Sequence, residues 1–86
     1  MEIEIRGYTA RFIRSEDAGY GRGKLILDMP SGGMISVYRI GRKWIKARIK
    51  GNVARNGVEF TTRQAALNSS AEDFVADSMH AQHLAP

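Results

Sequence analysis

Trp44, Lys46, Arg48 and Lys50 stand two residues apart, a spacing that on a β-strand puts one aromatic ring and three cations on the same face. An aromatic ring among cations combines base stacking with phosphate neutralisation, so this set is the first candidate for nucleic-acid contact. It sits in a longer stretch from Arg39 to Arg55 that also holds Arg42 and Lys43 and contains no acid. Such a field attracts phosphates or an acidic protein surface. Lys and Arg are also ordinary occupants of a solvated strand face, and Trp44 can equally lie over a core edge.

Other residues with chemical potential are less well placed. Gly19-Tyr20-Gly21-Arg22-Gly23-Lys24 invites comparison with a phosphate-binding loop, but that loop needs Gly where Ala18 stands, Ser or Thr where Leu25 stands, and a helix after it. A plain glycine-rich loop is the simpler reading, from which Tyr20 and Arg22 could still stack on a base and touch a phosphate. His80 and His83 are three apart, yet spacing supplies no third metal ligand, and histidines in a last helical turn suit the negative end of the helix dipole. No nucleophile lies beside a base, and Asp28 and Glu59 are isolated carboxylates, so the chain is expected to be a non-enzymatic binder without cofactor or metal.

All 13 Lys and Arg fall in residues 1–63, which carry +7, whereas residues 64–86 carry −3, for a total of +4. At 86 residues the chain has material for one core and reads as a single domain over 1–86, with 81–86 as a frayed tail. Absence of cysteine excludes disulfides and thiolate metal sites and suits a reducing, cytoplasmic setting. Residues 1–14 lack the pattern of an export signal, and the aliphatic run Leu25-Ile26-Leu27 is far short of the roughly 20 residues that span a bilayer. No membrane is expected as a partner.

These residues must be held by strands followed by helix. Residues 2–14 alternate, with Ile3 and Ile5 on one parity and Tyr8, Ala10 and Phe12 on the other, and Gly7 marks a bulge or bend at the slip. Ser15–Gly23 reads as a loop, Lys24–Met29 and Met34–Ile40 as a hairpin about Pro30-Ser31-Gly32-Gly33, and Gly41-Arg42 as a tight turn. In the next strand Ile45, Ala47 and Ile49 oppose the cationic face, so they are expected to be buried and Lys46, Arg48 and Lys50 exposed. Asn56-Gly57 is a hairpin signal that would join a strand ending near Arg55 to Val58-Glu59-Phe60, with Gly51-Asn52 as a further bulge. Thr61 or Thr62 caps a helix running to about Gln82, unless Ser69-x-x-Glu72 starts a second one. Ala71, Phe74, Val75 and Ser78 share its apolar face, with Leu67 or Met79 extending it. The expected fold is α+β, an antiparallel sheet of four or five strands with a C-terminal helix on its apolar face.

Gly41-Arg42-Lys43-Trp44-Ile45-Lys46-Ala47-Arg48-Ile49, Asn56-Gly57 and Phe60-Thr61-Thr62-Arg63-Gln64-Ala65-Ala66 together resemble the sheet-then-helix rhythm of integrase arm-type DNA-binding domains. The resemblance covers residues 34–80. It implies a three-stranded sheet laid in the major groove and backed by a helix, with Trp44, Lys46, Arg48 and Lys50 facing DNA. In size and style the chain also resembles small inhibitors from phages and mobile elements, including the anti-CRISPR proteins. That likeness implies a block on a host defence complex through protein contacts. Residues 2–6 form an edge that could pair across a twofold axis into a homodimer, or be guarded by Glu2 and Glu4.

Overall fold

The computed structural model describes residues 1–17, 23–51 and 53–84, with the side chains of residues 14–17, 83 and 84 outside that description. Six strands, β1 (Glu2–Ile5), β2 (Tyr8–Asp17), β3 (Gly23–Asp28), β4 (Met34–Ile40), β5 (Lys43–Lys50) and β6 (Val53–Phe60), precede one helix, α1 (Arg63–Leu84). They form one antiparallel sheet in the order β1-β2-β3-β4-β5-β6, so every strand lies beside its neighbour in sequence. The fold is therefore α+β with a C-terminal helix, and it has more strands than the pattern suggested.

The additional strand comes from Gly7. Arg6 and Gly7 both take positive φ, 52° and 81°, the requirement of a two-residue type I′ turn. What reads as a bulge in one long strand is thus a hairpin pairing Ile5 with Tyr8. The bulge lies further on, where the β2–β3 register shifts between Phe12 and Arg14. Residues 15–17 also extend β2 rather than opening a loop, since Ser15, Glu16 and Asp17 pair with Leu25, Lys24 and Gly23. The glycine-rich stretch at 18–22 lies outside the described residues.

Asn56-Gly57 is the second correction. It lies within β6, while the β5–β6 turn falls at Gly51, whose φ is 64°. The positive φ of Asn56, 58°, serves a bulge where the register shifts between Lys46 and Arg48. A Cβ on Gly57 would lie 3.3 Å from Ile45 Cγ2, a tight contact to which the Ile45 side chain would have to yield.

One continuous helix covers the sheet. Thr62 caps it, its Oγ1 accepting from the Ala65 N–H at 3.1 Å. Leu67, Ala71, Val75 and Ser78 are buried as their spacing predicts, whereas Met79 is exposed. Ala66, Ser70 and Ala71 are also fully buried, small residues that let the helix approach the strands closely. Ser70 and Ser78 remain satisfied because their hydroxyls donate to the carbonyls of Ala66 and Phe74, both at 2.8 Å. The core joins these to Ala10, Phe12, Leu27, Met29, Ile35 and Val37. Phe74 is only half-buried against that core. Phe74→Ala should therefore cost about 1 to 3 kcal/mol, less than the roughly 3 to 5 of a fully buried ring, read as a lowered denaturation midpoint.

Register decides which face of β5 the helix takes. Ile35 and Val37, both in the helix-packed core, pair with Arg48 and Lys46, and Arg39 pairs with Trp44. Paired residues share a face, so α1 lies on the side of Trp44, Lys46 and Arg48. Ile45 and Ala47 are buried on the opposite face with Ile26 and Ser36, and Ile49 is half-buried. The Ser36 hydroxyl there has no hydrogen-bond partner among the described residues.

Candidate nucleic-acid interface

At the upper end of β5, the turn at Gly41-Arg42 returns the chain so that Arg39 lies across from Trp44. The Arg39 guanidinium sits 5.9 Å from the indole centroid, and its Nε donates to the Gly41 carbonyl at 2.9 Å. Arg63, the first residue of α1, brings a second guanidinium to the same ring, also at 5.9 Å. Phe60 flanks Trp44 on the other strand, and both rings pack on the core. The indole is thus a half-buried holder of two arginines rather than an open stacking platform. The first turn of α1 contains no acid, so its dipole adds positive potential to these guanidiniums.

Lys46 leaves the predicted set. Its ammonium reaches under the helix to donate to Ser69 Oγ at 2.9 Å and Asp73 Oδ2 at 2.6 Å. Only 16% of its side chain is accessible, against 34% for Asp73. The sequence expectation that it faces solvent fails because the helix lies on its side of the sheet, and an ammonium there must be paired. Its long apolar stem spans the distance.

Beyond Lys46 the strand emerges from beneath the helix, and Arg48 and Lys50 are exposed as expected. The β6 bulge shifts parity so that Arg55, also exposed, is the direct cross-strand partner of Arg48. No carboxylate among the described residues pairs with either arginine. Like charges directly opposite one another disfavour the sheet. Beside the pair is a cleft of about 230 Å³ lined by Ile35, Lys46, Arg48, Asn56, Val58 and Asp73.

The other sequence candidates lie apart from this axis. Arg42 is exposed in the turn next to Trp44. Lys43 points to the opposite face and is bound by Glu59 at 2.8 Å. The hydrogen bond that the ammonium donates to Glu59, and then the charge of Glu59, hold its pKa above the usual lysine value. Tyr20 and Arg22 lie outside the described residues, as does the side chain of His83. No group of three His, Cys, Asp or Glu residues that could hold a metal ion occurs among the described residues. No described helix is long and apolar enough to cross a membrane.

The fold thus gathers two cationic clusters on the helix side of β5, Arg39 and Arg63 about Trp44, and Arg48 opposite Arg55 with Lys50 nearby. Arg63, Asn56 and Asp73 were not among the sequence candidates. Arg63 carries a usable signal, since a cation straight after the helix cap Thr62 opposes the dipole and needs another reason to be there. Asn56 was absorbed into a turn motif, and Asp73 joins the cleft only through tertiary packing. No protein-family model matches this chain, and no characterised protein or solved structure does either.

Proposed function

We propose that the protein is a non-enzymatic module that engages nucleic acid, bare or in a nucleoprotein complex, through the cationic clusters flanking the helix on β4, β5 and β6. The observation that carries this reading is the pairing of Arg48 with Arg55, two exposed arginines in direct cross-strand register with no carboxylate partner among the described residues. A phosphate placed between them converts repulsion into two charge-assisted contacts. Arg39 and Arg63 form the second contact point, oriented by Trp44. The integrase-type resemblance implies a contact that includes Lys46, whereas here Lys46 supports the helix, so the reading rests on the arginines.

Titration of short DNA and RNA probes over a salt series tests this. Arg48→Ala and Arg55→Ala should each reduce the slope of log affinity against log salt by about 0.7 to 0.9, with folding retained by circular dichroism. Wild-type slopes in both variants would remove this pair from the interface. A second reading, an anti-CRISPR-type inhibitor acting through protein contacts, is favoured by β6, an edge strand exposed along nearly its whole length. A stoichiometric protein complex without any nucleic-acid binding would select it.

A further inference from the structure

Resting on that reading, we infer that the nucleic acid taken by this face is single-stranded and that it delivers one unstacked base into the cleft between β5, β6 and α1. The cleft is about 230 Å³, below the roughly 300 to 1,000 Å³ of pockets for drug-sized ligands and of a scale suited to one planar heterocycle. Val58, exposed on β6, provides apolar surface for one of its faces. Asn56 offers an amide that both donates and accepts, and Asp73, held by Lys46, retains acceptor capacity for an exocyclic amine. At the mouth stands Arg48, opposite Arg55, where the phosphate joined to that nucleotide would sit.

Two features of the surroundings select a single strand over a duplex. A base enters a cleft between secondary-structure elements only when it is free of its stack, the condition of single strands and loops. The cationic surface is also narrow: with strands about 4.8 Å apart, the β5–β6 hairpin is only about 10 Å wide. On its inner side rises α1, which has no Lys or Arg after Arg63 and carries Glu72, Asp73 and Asp77. A duplex, whose major groove alone is about 12 Å wide, would press one of its backbones towards those carboxylates. A single strand can pass along the exposed β6 edge beside the helix, from Arg39 and Arg63 to Arg48 and Arg55, a distance of about 13 Å at 3.3 Å per residue.

Fluorescence anisotropy of the intact chain with a labelled mixed-sequence oligodeoxynucleotide, its RNA counterpart and the matching DNA duplex tests the inference. At least one single strand should bind about tenfold or more tightly than the duplex. Val58→Trp, at an exposed edge position, should fill the cleft and weaken that binding about tenfold without altering the salt slope. Asn56→Gly keeps a residue that tolerates positive φ and should narrow affinity differences among homopolymers. Duplex binding equal to or tighter than both single strands, or unchanged single-strand affinity in folded Val58→Trp, overturns the inference while leaving the cationic interface standing. Absence of binding to all three probes overturns the interface itself.

Discussion

Lys46→Glu should lower stability by about 3 kcal/mol or more, a large share of the roughly 5 to 15 kcal/mol typical of a whole domain. In the native chain the Lys46 ammonium is largely enclosed and lies 2.6 Å from Asp73 Oδ2. Glutamate at that position sets two carboxylates against each other beneath the helix, and one must take up a proton or the helix must lift from β5. Removing one partner of a fully buried pair costs about 3 to 5 kcal/mol. The 34% exposure of Asp73 reduces the penalty for the orphaned charge, while the like-charge contact adds to it. Lys46→Met retains an apolar stem beside the cross-strand partner Val37 and leaves a single carboxylate able to turn towards water, so it should be much milder. Urea denaturation of both variants measures the difference. A Lys46→Glu midpoint equal to wild type would place Lys46 in solvent and refute the helix position.

Arg55→Glu should move stability and binding in opposite directions. Arg55 lies directly across from Arg48 on the helix side of the sheet, and exchanging like for opposite charge in a cross-strand pair is worth roughly 0.2 to 1 kcal/mol for each term. The variant should therefore melt slightly higher than wild type. Its nucleic-acid affinity should fall about 100-fold at 0.1 M salt, because the new carboxylate engages Arg48 and withdraws two cations from the phosphate at once. Few substitutions raise stability while abolishing a contact, and this opposition is expected where a repulsive arrangement is maintained for a ligand. Thermal melts and anisotropy on one preparation give both numbers. A higher melting temperature with unchanged affinity would confirm the register and remove the arginine pair from function. An unchanged melting temperature would show the two guanidiniums too far apart to repel.

Local sequence determined the elements wherever local chemistry was sufficient. The β4 strand, its turn into β5, the Thr62 cap and the buried row Leu67, Ala71, Val75 and Ser78 follow from alternation, glycine placement and helical periodicity. The charge segregation that leaves Arg39–Arg55 without an acid was equally legible. What alternation cannot supply is a sign. A period-two pattern divides β5 into two faces without stating which one meets the helix: Ile45 and Ala47 are buried as their alternation predicts, yet the helix lies on the face of Trp44, Lys46 and Arg48. That choice belongs to the pairing of Val37 with Lys46 and Ile35 with Arg48, because register carries the strongly apolar faces of β3 and β4 across to β5. The same global requirement turned Asn56-Gly57 from a hairpin turn into a bulge: their tolerance of positive φ is local, but where it is used depends on β6 pairing along β5. One residue of slip at that bulge set Arg55 against Arg48, a relation between two strands that neither stretch of sequence contains alone.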